Sequence, residues 1–64
     1  MTIGENIKRL REAKNMTQED LAQILDVTSS NISQIESGDR GLNISKAQKL
    51  AQALNTNLDE LVKE

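Results

Sequence analysis

This sequence contains no cysteine, no histidine, no proline and no aromatic residue. Each absence excludes something. Without cysteine there are no disulfides and no thiolate metal ligands. Without histidine the usual near-neutral general base and the commonest metal ligand are both missing. Without Phe, Tyr or Trp no side chain can act as a base-stacking platform, which argues against recognition of single strands or RNA loops. The lack of proline favours uninterrupted helices. Apolar runs are no longer than two residues, as in Ile24-Leu25. No membrane span or signal peptide is therefore expected, and a cytoplasmic location is the default. Carboxylates are scattered and no Gly-rich phosphate loop is present, so the sequence predicts no enzyme, no cofactor and no metal site.

What is there is short and mostly polar. Sixty-four residues limit the chain to one small domain, 1–64, whose stability is marginal without efficient helix packing or a partner chain. The formal net charge is −2, an unhelpful sign for a nucleic-acid ligand, so the distribution matters. Residues 1–16 carry Lys8, Arg9, Arg11 and Lys14 against Glu5 and Glu12, and residues 28–49 carry Arg40, Lys46 and Lys49 against Glu36 and Asp39. The two acidic stretches are 17–27 and 50–64. Any footprint on phosphate must be small and built partly from neutral donors.

Apolar spacing predicts a series of helices. Ile3, Ile7 and Leu10, with Ala13 or Lys14, mark a first helix over 2–14, and Asn15 is a plausible left-handed end. Thr17 with Asp20 three positions on resembles a capping box for a second helix, whose inner face is Leu21, Ala22, Ile24 and Leu25. Asp26 tolerates the left-handed conformation needed to break it. Thr28 caps a third helix with Ile32 and Ile35 on its buried side, and Gly38 ends it. Asn43 or Ser45 caps a fourth helix, with Ile44, Ala47, Leu50, Ala51 and Leu54 inward, and Asn55 closes it. Asn57 caps a last short helix carrying Leu58, Leu61 and Val62, read first as core, with a subunit interface as the alternative for some of them. The expected fold is all-α, a compact bundle of about five short helices around one core.

The third helix is unusual on its outer side. At about 100° per residue, Ser30, Ser33 and Gln34 point away from Ile32 and Ile35, with Ser29 and Asn31 on the flanks. Three serines and an asparagine between positions 29 and 33 are poor helix formers. A purely structural surface would carry Glu, Lys or Ala instead. Hydroxyl and amide groups at a rigid helical spacing suit the reading of base edges in a major groove, where Gln pairs with adenine and Ser is promiscuous. The bland alternative is a solvated face.

Four blocks in order carry a family resemblance. Thr17-Gln18-Glu19-Asp20-Leu21-Ala22 resembles a T-Q-x-x-L-A opening, and Asp26-Val27-Thr28 resembles a G-V-S turn. Ile32-Ser33-Gln34-Ile35-Glu36-Ser37-Gly38 resembles I-S-x-I-E-x-G. Leu50 to Leu54 and Leu58 to Leu61 resemble I-A-x-A-L and L-x-x-L. Together they are similar to the phage-repressor-type, lambda-repressor-like helix-turn-helix family, with helices two and three as the motif. Asn15, Asp26 and Asn55 stand where that family commonly has glycine, and Thr56 where it commonly has Val.

The resemblance implies a sequence-specific double-stranded DNA-binding protein, most simply a transcriptional repressor. Residues 28–37 would form its recognition helix, and it would act as a homodimer on a palindromic operator. It places DNA contacts at Thr17, Gln18, Thr28, Ser29, Ser30, Asn31, Ser33, Gln34 and Arg40, with Gln18 and Thr28 on phosphates. It also implies an ion pair between Arg11 and Glu36 that fixes the recognition helix against helix one. Lys8, Arg9 and Lys14 read as a solvated face of helix one, and Arg40, Lys46 and Lys49 as either solubilising charges or backbone contacts. The competing reading is a protein-interaction or antitoxin-type module of the same fold with weak or no DNA binding.

Overall fold

The computed structural model describes residues 2–38 and 42–62. They form five helices: α1 (Ile3–Ala13), α2 (Gln18–Leu25), α3 (Ser29–Ser37), α4 (Ile44–Ala53) and α5 (Leu58–Val62). None would be stable alone at such lengths, so capping and packing must supply what length does not.

Capping is systematic. The hydroxyls of Thr2, Thr17 and Thr28 accept the backbone N–H of Glu5, Asp20 and Asn31, and Asn43 Oδ1 accepts that of Lys46. Asn57 Oδ1 does the same for Glu60. Thr2 and Thr17 are in full capping boxes, because Glu5 and Asp20 accept their backbone N–H groups in return. Each such cap contributes about 1 kcal/mol. At the far ends, Asn15, Asp26 and Asn55 have φ of 57°, 58° and 55°, and Gly38 has 87°. These residues turn the chain in the left-handed region, where Asn and Asp are the best-tolerated substitutes for glycine.

The core is aliphatic throughout. Ile7, Leu21, Ile32, Leu50 and Leu61 are fully shielded, and Ala22, Leu25, Ile35, Ala51 and Leu54 complete the cluster. Each large side chain contributes roughly 1.5–3 kcal/mol on burial. The α3 helix lies against α1 and α2, α4 against α2, and α5 closes the bundle on α1 and α4.

Four expectations change. The first helix is shorter than 2–14: Thr2 is its cap and Lys14 its C-terminal boundary, and both Ala13 and Lys14 are exposed. Ile24 is 59% exposed rather than inward, because the three contacts Leu21, Ala22 and Leu25 already fill the inner face of α2 and Ile24 falls about 100° away. Ile44 is 71% exposed: as the first residue of α4 it lies past the end of the packed stripe. Val62 is 53% exposed, since Leu61 takes the inward position in the short α5. Ile44 and Val62 instead border an apolar groove that Ile3 and Leu58 also line.

Two close approaches not anticipated from spacing hold the helices together. Asn6 is buried, and its Nδ2 donates to the Leu61 carbonyl at 2.8 Å. Gly4 faces the C-terminal end of α3, where a Cβ would come within 2.6 Å of the Ile35 carbonyl oxygen and still closer to that of Glu36.

Candidate nucleic-acid interface

The turn between α2 and α3 sets the exposure of α3. Asp26 in the left-handed conformation reverses the chain, the Val27 N–H donates to the Ala22 carbonyl at 2.9 Å, and Val27 is half-buried beneath the turn. Thr28 then starts α3 with its own side chain as the cap. Ile32 and Ile35 anchor the inner side, and Ser29, Ser30, Ser33, Gln34 and Ser37 are exposed on the outer one.

A buried polar cluster locks the other end of α3. Arg11 Nε donates to Glu36 Oε2 at 2.7 Å and Arg11 Nη2 to Glu36 Oε1 at 3.1 Å. This forked contact adds directional preference to charge attraction. The third arm, Nη1, donates to the Met16 carbonyl at 2.8 Å. Gln18 Nε2 donates to Glu36 Oε1 at 3.1 Å. One carboxylate therefore joins α1, the start of α2 and α3. Hydrogen bonding to Glu36 raises the Arg11 pKa further above its ordinary value, outweighing the opposing effect of burial. The guanidinium stays charged, and the two opposite charges satisfy each other inside the bundle.

The sequence-selected residues divide accordingly. Thr28, Ser29, Ser30, Ser33 and Gln34 lie together on the exposed side and N-terminal end of α3. Asn31 does not share that exposure: it is half-buried on the flank, and its Oδ1 is shielded with no hydrogen-bond partner. Thr17 and Gln18 stand at the start of α2, the first occupied as a cap and the second tied to Glu36. Arg40 lies outside the described residues.

Two residues at this edge were not selected from sequence. Ser37 lies on the same edge as Ser33, and their spacing of four is the signal that finds it. Lys8 comes from α1, and together with Gln18, Ser33, Glu36 and Ser37 it lines an open notch beside α3. Nothing in its local sequence indicates this. Among the described residues no group of His, Cys, Asp or Glu could hold a metal ion, and no helix is long and apolar enough to cross a membrane.

Comparison with known proteins agrees with this geometry. A helix-turn-helix family model matches residues 7–61. Control protein C.SmaI of Serratia marcescens is 33% identical over 94% of this chain and 71% of its own length. The competence pilus inhibition repressor of Acinetobacter baylyi is 33% identical over 95% of this chain, which spans 56% of that relative's length. The P22 c2 repressor, solved in complex with a synthetic operator, superposes with a TM-score of 0.90 at 28% identity, covering 98% of this chain and 96% of that one. With the four sequence blocks, the capped turn and the five-helix order all in agreement, the chain belongs to the phage-repressor-type helix-turn-helix family.

Proposed function

We propose that residues 1–64 act as a single DNA-binding domain of a transcriptional repressor, reading double-stranded DNA with α3 in the major groove. The observation that carries this reading is the division of α3. Its inner side is fixed by Ile32, Ile35 and the Arg11–Glu36–Gln18 cluster, while Ser30, Ser33 and Gln34 stay exposed on a rigid frame. Gln34 suits adenine and the serines supply adaptable hydrogen bonds. Thr28 and Ser29 at the N-terminal end of α3, Thr17 and Gln18 at the start of α2, and Arg40 after α3 are assigned to the DNA edges and phosphates. The family match supports a regulator rather than an enzyme, and such a regulator works in the cytoplasm, where the DNA is.

A two-fold homodimer follows from arithmetic. One such helix reads only a few base pairs, too few to pick out a site in a genome, whereas two copies reading half-sites about 34–36 Å apart can do so. A palindromic operator is the expected target.

Selection of bound duplexes from a random pool by the full chain tests this directly. The expected outcome is a symmetric motif with half-sites one helical turn apart, bound with a steep salt dependence. Failure to select any duplex at low salt overturns the reading. It would favour a protein-interaction module, to which the net charge of −2 lends support.

A further inference from the structure

Lys8 has no assigned role on α1, where sequence places it among solvated charges. The fold moves it next to the proposed reading helix. It shares an open notch of about 170 Å³ with Gln18, Ser33, Glu36 and Ser37. Gly4, one turn before it, lets α1 pack directly on the carbonyls of Ile35 and Glu36, and this close approach brings Lys8 to the edge of α3.

The charge of Lys8 is not used inside the protein. The acidic group in the notch, Glu36, already receives two hydrogen bonds from Arg11 and one from Gln18. Among the described residues, the ion pair is Arg11 with Glu36, and Lys8 is in none. The notch therefore carries one uncompensated positive charge. Around it stand the Ser33 hydroxyl and the second amide hydrogen of Gln18 as further donors, since the first is held by Glu36. The Ser37 hydroxyl donates to the Gln34 carbonyl at 3.1 Å and does not compete for an anion. A cation flanked by neutral donors, along the side of a helix whose outer face is polar, matches a phosphodiester.

We infer that Lys8 is a phosphate-binding residue: the notch between α1, α2 and α3 seats one phosphodiester of the DNA strand that borders the groove occupied by α3. The inference rests on the DNA-binding reading above, and it adds a residue of α1 to a contact surface otherwise drawn from α2, α3 and the segment after α3. Phosphate contacts orient a protein on the duplex without reading sequence, so Lys8 sets how α3 enters the groove rather than which bases it prefers.

The test is equilibrium binding of the full-length wild type, Lys8→Ala and Lys8→Arg to a duplex obtained by selection with the wild type, over a range of salt concentrations, with thermal melting of each protein. Losing one phosphate contact should reduce the log–log salt slope by about 0.9 and weaken binding roughly eight-fold at ~0.1 M salt, as that slope implies. The loss should be equal for all duplex sequences, with melting unchanged and binding restored by Lys8→Arg. An unaltered slope and affinity in Lys8→Ala, with a wild type that binds, overturns the assignment while leaving the DNA-binding reading intact. A lowered melting temperature with an unaltered slope also overturns it, and would mean that Lys8 only complements the carbonyl end of α3. A wild type that selects no duplex sinks both.

Discussion

The side chain of Asn6 and the backbone carbonyl of Leu61 meet at 2.8 Å across 55 positions of sequence. This buried hydrogen bond joins the first helix to the last, so the two ends of the described chain brace one another around the core.

Asn6→Ala removes the donor and leaves the Leu61 carbonyl buried without it. The expected loss is about 1–3 kcal/mol, read by denaturant titration, with faster amide exchange concentrated in α5. Uniform exchange along the chain would mean that Asn6 does not hold α5 specifically.

Arg11→Met leaves Glu36 buried and unpaired, since the two side chains are only 9% and 4% exposed. Breaking a buried pair from one side costs about 3–5 kcal/mol, and in a domain this small each kcal/mol corresponds to roughly 4–8 °C of melting temperature. Arg11→Met combined with Glu36→Leu should recover most of that stability, because an apolar pair replaces the ionic one. Affinity for a selected duplex should not recover with it. Equal recovery of both would show that the pair has no part in orienting α3.

Gly4→Ala sets two effects against each other. Alanine favours a helix by up to about 1 kcal/mol. The added Cβ, however, would press on the Ile35 and Glu36 carbonyls, backbone atoms that move only with the helix. Overpacking costs about 1–3 kcal/mol, so net destabilisation is expected in a thermal melt. A melting temperature at or above wild type would mean that α1 and α3 separate freely.

Ser30→Ala and Gln34→Ala act on exposed positions and should change stability by no more than about 0.5 kcal/mol. The Gln34 variant should relax preference at one base position by about 1–3 kcal/mol, measured by repeating the duplex selection. A uniform loss across all sequences would place Gln34 on the backbone instead.

The pH response of the first capping box follows from Glu5. Its carboxylate accepts the Thr2 backbone N–H at 2.8 Å and packs with the Thr2 hydroxyl, and both lower its pKa from the ordinary value. The folded chain thus holds this proton more weakly than the unfolded one. The cap contribution is complete above the ordinary glutamate value and fades as pH falls through the lower folded value. An NMR titration of the Glu5 carboxyl should place its midpoint below that of a glutamate in an unfolded peptide of the same sequence; a midpoint at or above the peptide's would show that the box is open in solution.

Much of the candidate site is legible in the sequence. Ser30, Ser33 and Gln34 face outward because Ile32 and Ile35 fix the rotation of α3, and rotation is a matter of spacing alone. Ser37 was equally available by the same spacing from Ser33. The shielding of Asn31 was not, because a flank residue is covered or left open by whatever neighbour lies beside it.

Helix order, caps and the left-handed ends at Asn15, Asp26 and Asn55 were set by the sequence itself. These depend on hydrogen bonds spanning three or four residues and on backbone preferences of single residues, so they need no distant partner. Which apolar residues are covered, and which polar ones are brought together, was decided only by the tertiary structure. Spacing says that Ile24, Ile44 and Val62 lie near an apolar stripe but not how wide a surface the neighbouring helix covers. Likewise, no local rule puts Gly4 against α3, ties Gln18 to Glu36 or moves Lys8 to the edge of the reading helix. Burial and long-range contact depend on how whole helices stack: the close crossing of α1 and α3 brings Gly4 and Lys8 to α3, and the packing of α2, α4 and α5 decides which apolar residues are covered.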